Sequence, residues 1–126
     1  MKDAKPPTAA QLAEFSQHTG IVFPPEAVPL FYWEMRGMDD ALHLKLTLPQ
    51  DAFPKFISAA PFAGTKMTGP DDFSKATLQY FADWMPHPPK NFQICDPNLP
   101  NARYMKCVFD FDDPKTTTIY LMWFET

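Results

Sequence analysis

Glycine is scarce in this chain, with 4 against 15 prolines. Loops that cradle phosphate need glycine so that backbone N–H groups can close on the ligand, and neither GxGxxG nor a P-loop occurs. The elbow GxSxG is missing too, and Ser16, Ser58 and Ser74 all fall in expected helices. Cysteine is limited to Cys95 and Cys107. With no CxxC and no Cys/His cluster at ligand spacing, a zinc site is not expected. Basic residues are in the minority, 11 against 15 acidic ones, for a net charge of -4. That balance lacks the electrostatic footprint of a nucleic-acid binder. No apolar run approaches the ~20 residues of a membrane span.

What is present points to one domain. A chain of 126 residues buries enough surface to fold without a metal or disulfide. At 45% hydrophobic and 21% charged it is outside the disordered class. The prolines are spread out and act as punctuation between short elements. The 12 Phe, 3 Trp and 4 Tyr supply a large burial payload, or anchors for an interface.

Residues 1–7 are polar and carry no signal-peptide core, which predicts a flexible leader before a single domain over 8–126. Such a leader suits a domain tethered outside the fold. Residues 8–18 read as a helix, with Thr8 and Gln11 at capping-box spacing and Gly20 placed to end it. In residues 30–48, Phe31, Trp33 and Met35 alternate with Tyr32, Glu34 and Arg36. After Gly37-Met38-Asp39-Asp40, Leu42, Leu44, Leu46 and Leu48 alternate with His43, Lys45 and Thr47. This period of two predicts a half-buried hairpin with Trp33 opposite Leu44 and Glu34 opposite His43. Residues 51–60 read as a short helix, with Pro54 tolerated in its first turn. Residues 70–85 read as a longer one, striped by Phe73, Thr77, Tyr80, Phe81 and Trp84.

A second hairpin is expected over 102–111 and 117–125. Met105, Cys107, Phe109 and Phe111 would meet Ile119, Leu121 and Trp123. The opposite face is also apolar, with Tyr104, Val108, Tyr120, Met122 and Phe124. Strands apolar on both faces belong in the middle of a covered sheet; left bare, they form a patch that needs a partner. Residues 92–95 are a candidate further strand, which would bring Cys95 to Cys107. The pair fits a disulfide in a secreted chain or two buried thiols in a cytosolic one.

Chemistry-bearing residues are scattered. His18, His43 and His87 share no motif, and each is expected to be structural or superficial. Asp110, Asp112 and Asp113 cluster at a turn, but without an EF-hand pattern, so no metal is expected. The outward set of the first hairpin is the best recognition candidate. It offers Tyr32, Glu34, His43 and Lys45, with Asp39 and Asp40 at the adjacent tip, as partner-binding residues. The bland alternative is a solvated face with cross-strand charge pairs.

The order of these segments is also familiar. Gly20-Ile21-Val22-Phe23-Pro24 precedes the hairpin, and Gly37-Met38-Asp39-Asp40-Ala41-Leu42 leads into Leu48-Pro49. The chain closes on Asp110-x-x-x-Pro114 and Tyr120-x-x-Trp123. The arrangement resembles small bacterial domains of the envelope-lipoprotein and toxin-immunity kind. That resemblance implies a bacterial protein of the periplasm or envelope, with the cytoplasm as the alternative, and it transfers no catalytic residue.

Together these features predict an α+β fold, with an antiparallel sheet of about four or five strands built from two hairpins and two or three helices on one face. The expected function is non-catalytic, an immunity-type inhibitor that binds and masks a bacterial toxin. Its acidic balance suits a basic toxin. The alternative is a periplasmic lipoprotein domain with a structural or small-ligand role. An enzyme would require His43 or His87 beside a carboxylate in a cleft. No cofactor is expected.

Overall fold

The computed structural model describes residues 5–99 and 103–125. Five strands form, β1 (Val28–Met35), β2 (Ala41–Pro49), β3 (Phe92–Cys95), β4 (Tyr104–Asp110) and β5 (Thr116–Phe124). They make one antiparallel sheet in the order β1-β2-β5-β4-β3. The two hairpins meet through β2 and β5, so the strands with apolar residues on both faces occupy the middle. Met105, Cys107 and Phe109 stand opposite Trp123, Leu121 and Ile119, as the alternation requires.

Each sheet edge is met at one point by another segment. On β1, the Tyr32 N–H donates to the Lys5 carbonyl at 2.8 Å. On β3, Ile94 exchanges both backbone bonds with Thr68, at 2.8 and 3.0 Å.

The helices lie on both faces rather than one. Helix α1 (Ala9–Thr19) begins with the Thr8/Gln11 capping box and ends at Gly20, whose φ of 80° is left-handed. A 3-10 turn, Gln50–Ala52, leads into the short α2 (Phe53–Ile57). Phe15, Phe53, Phe56 and Phe62 pack with Leu42, Leu44, Phe109 and Leu121 on this inner face. Helix α3 (Asp72–Thr77) continues as a 3-10 helix, Leu78–Trp84. Leu78, Phe81 and Trp84 pack on Phe31, Val108 and Tyr120 of the other, outer face.

Two further expectations are corrected. The first hairpin is shifted by one residue, with Trp33 opposite His43, Tyr32 opposite Leu44 and Glu34 opposite Leu42. Tyr32 therefore joins the inner core, while Phe31 and Trp33 face outward against the 3-10 helix. The register is ambiguous in sequence because both faces of β1 are apolar, and Arg36 leaves the strand to bind carboxylates. The single helix expected over 70–85 is instead α3 plus a 3-10 segment. Leu78, Phe81 and Trp84 recur every third residue, the period at which a 3-10 helix stacks side chains on one face. Phe73 and Tyr80 then fall outside it, 80% and 65% exposed.

Gly69 holds the entry to α3. Its φ is 110°, and a Cβ there would sit 2.8 Å from Ser74 Oγ. Ser74 is fully buried and cannot yield, because it forms a capping box with Asp71. Gly69→Ala is expected to cost about 1–3 kcal/mol. Gly37→Ala, where a Cβ meets nothing within 4 Å, should change stability by less than ~0.5 kcal/mol. Thermal unfolding of both variants checks this; equal melting temperatures would contradict it.

Candidate functional site

The residues expected to form one recognition face are divided by the sheet. Tyr32 is buried in the inner core. Burial, with the Glu34 carboxylate nearby, pushes its phenol up to about 12. His43 is buried on the outer side, its ring 4.7 Å from that of Trp33 and 4.8 Å from that of Trp84, nearly parallel to the latter. Desolvation lowers its pKa to about 4, opposed by the Asp83 carboxylate. Its Nδ1 makes no hydrogen bond.

Glu34 and Asp40 are engaged in an ion cluster. Arg36 Nη2 donates to both Glu14 oxygens at 2.7 Å and to Glu34 at 2.9 Å, and its Nη1 reaches Asp40 at 3.4 Å. These bonds raise the Arg36 pKa and lower that of Glu14; that of Asp40 is lowered first by the Gly37 N–H, which donates to it at 3.2 Å, and then by Arg36. The cluster ties the hairpin tip to α1, and as a half-exposed set it adds little stability. Lys45 sits with its Nζ 5.1 Å from the centre of the Tyr120 ring. Of the six, Asp39 at the tip and Glu34 are exposed. Exposure and common placement therefore fail for Tyr32 and His43, which the one-residue shift and the 3-10 helix cover.

The remaining polar groups are structural. Asp112 accepts backbone N–H bonds from Lys90 and Asn91, at 3.0 and 2.7 Å. Asp110 and Asp113 accept from Asp112 and Lys115. The acidic turn is thus spent on holding its own loop and the entry to β3. His18 stacks on Trp123 at 4.3 Å and meets Glu14 at 3.5 Å. Among the described residues no group of three His, Cys, Asp or Glu is placed to hold a metal.

An accessible surface does exist, on the bare end of the outer sheet face. The 3-10 helix covers the row of Phe31 and Tyr120, and its last residue, Trp84, stacks on His43 of the next row, so only the row beyond that is bare. The last row runs Met35, Ala41, Phe124, Tyr104 across four strands. The row before it runs Trp33, His43, Met122, Lys106. Tyr104 is 47% and Met35 49% exposed. The Tyr104 ring stacks on Phe124 at 5.6 Å.

Lys106 connects this strip to the α3 side. Its Nζ lies 5.4 Å from the centre of the Tyr80 ring and 3.6 Å from Asp96. Two shallow depressions share Lys106 as a wall. One, of about 260 Å³, is bounded by Tyr104, Phe124 and Arg103, and the other, of about 580 Å³, by Phe73 and Tyr80. A third, of about 450 Å³, opens on the far side of Phe73 against Thr68, Cys95 and Asn98. Aromatic anchors beside shallow hollows suit a protein surface better than a small substrate.

The alternation of Tyr104, Met122 and Phe124 signals this strip in sequence. What sequence does not reveal is which outer-face rows a helix would leave open. No helix among the described residues is long and apolar enough to cross a membrane. No protein-family model, no curated protein and no solved structure matches this chain.

Proposed function

We propose that the chain is a non-catalytic binding protein, an immunity-type inhibitor that masks a bacterial toxin. The observation that carries the binding reading is the uncovered outer end of the sheet, where Tyr104 and Phe124 lie side by side, Met35 follows beyond Ala41, and Phe73 and Tyr80 stand exposed nearby. An exposed aromatic strip of this kind is the composition of an interface core. Asp39 and Asp83 come from elements bordering it, while Glu125 is spent on Arg103 at 3.0 Å. With the net charge of -4, Asp39 and Asp83 favour a basic partner, whose encounter complementary charge speeds. A compartment outside the cytoplasm fits this reading. The alternative, a periplasmic lipoprotein domain that takes a small ligand, draws on the 450 Å³ hollow beside Cys95.

The test begins with capture of partners by the tagged chain in its native host. A stoichiometric partner is then expressed with and without the chain. The expected result is growth arrest by the partner alone and restored growth on co-expression. A harmless partner, or arrest that the chain does not relieve, would overturn the inhibitor reading.

A further inference from the structure

The binding reading leaves Cys95 and Cys107 unused. They are register partners on adjacent antiparallel strands, both buried with free thiols. Their pairing type follows from the edge of the sheet. Ile94 spends its N–H and C=O on Thr68, away from β4. Alternation along the strand then turns the N–H and C=O of Cys95 toward β4, making Cys95 and Cys107 a hydrogen-bonded pair. Such pairs hold their Cα atoms about 5.5 Å apart, inside the disulfide range of roughly 4.4–6.8 Å. Cys95 is also, after burial itself, the neighbour that acts most strongly on the Cys107 thiol.

Access is one-sided. Cys107 is fully buried, whereas Cys95 forms part of the wall of the 450 Å³ hollow. With Cys95 itself only 3% exposed, exchange takes place before the strand is fully packed.

We propose that Cys95 and Cys107 are a modification site, oxidised by thiol–disulfide exchange to an intrachain disulfide that staples the edge strand β3 to β4. The co-reactant is a low-molecular-weight or protein disulfide. The Cys95 thiolate attacks one of its sulfurs, that S–S bond breaks, and one thiol leaves. The Cys107 thiolate then attacks the Cys95 sulfur and releases the second thiol. Two protons and two electrons pass from the pair to the oxidant, which ends as two thiols. The link fixes a strand of only four residues to β4. It persists in an oxidising compartment and is reversed in a reducing one.

The test refolds the full chain from denaturant in a buffer of oxidised and reduced glutathione, so that burial does not limit access. Folded protein is then alkylated and weighed intact. The expected product has no alkylatable thiol, a mass lower by two hydrogens, and one cross-linked peptide containing both cysteines. Its melting temperature should stand about 5 °C or more above the reduced form. Cys107→Ser should show no such rise and carry glutathione on Cys95. Two free thiols in the refolded wild type, or glutathione retained on both, would overturn the proposal. Neither result bears on toxin binding, so the two readings fail separately.

Discussion

Replacing Phe109 with Ala is expected to lower the unfolding free energy by about 3–5 kcal/mol. Phe109 is fully buried on β4, next to the sheet centre. Phe53 meets its ring edge-on at 5.0 Å and Phe62 at 5.9 Å. These partners come from α2 and the segment after it, so the ring is where that part of the chain is clamped to the sheet. A domain of ordinary stability has about 5–15 kcal/mol in total, so the variant should be marginal. Phe73→Ala removes the same ring from an exposed site and should cost less than ~0.5 kcal/mol. Urea titrations of both variants measure the difference. A Phe109→Ala cost below 1 kcal/mol would mean that the inner face is not packed as described.

Acid should expose the second large effect, at His43. The ring is 8% exposed and is flanked by Trp33 and Trp84, so its charged form is poorly solvated. Its folded pKa is about 4, against about 6.5 for an imidazole in water. Above the unfolded pKa the imidazole is neutral in both states and the full stability is present. As pH falls from there, the unfolded chain takes up a proton that the folded chain refuses. Stability drains away until the folded pKa is reached, a loss of roughly 3 kcal/mol.

Other groups titrate in the same range. Burial raises the Asp110 pKa, so its contribution runs the opposite way and weakens as pH rises. Glu14 and Asp71 have lowered values, and their contributions are also lost in acid. A His43→Phe variant keeps a ring between the tryptophans and removes the titration. Chemical unfolding at pH about 7.5 and about 4.5 should show the wild type losing roughly 2–3 kcal/mol more than the variant. Parallel losses would contradict the burial assigned to His43.

Much of the fold is legible in the sequence because local chemistry and global packing agree there. Thr8, Gln11 and Gly20 mark both ends of α1. The two-sided apolar pattern of β4 and β5 correctly places them inside the sheet, and Cys95 does reach Cys107. The first hairpin is harder to read. Phe31, Tyr32 and Trp33 are successive aromatics, so alternation does not say which one faces the larger core. In the structure Arg36 lies outside β1, bonded to Glu14, 22 residues away in sequence. The loop from 36 to 40 is one residue longer than the alternation suggests, and the register shifts with it. The same shift takes Tyr32 out of the expected recognition face. The 3-10 segment is hidden for a related reason. Its every-third-residue burial overlaps a helical stripe, so Phe73 and Tyr80 look internal until the chain is folded. The accessible strip then depends on where that segment stops, which no local pattern encodes.

The central claim is that the bare outer end of the sheet binds a protein. The most direct measurement is the affinity of the captured partner for the chain and for a Tyr104→Ala/Phe124→Ala double variant, by titration calorimetry. Removing two stacked anchors from an interface core should cost at least about 2 kcal/mol, or roughly 30-fold in Kd. A Val22→Ala control, at an exposed site on the connection after α1, should bind like the wild type. Unchanged affinity in a folded double variant would place the partner elsewhere and contradict the assignment.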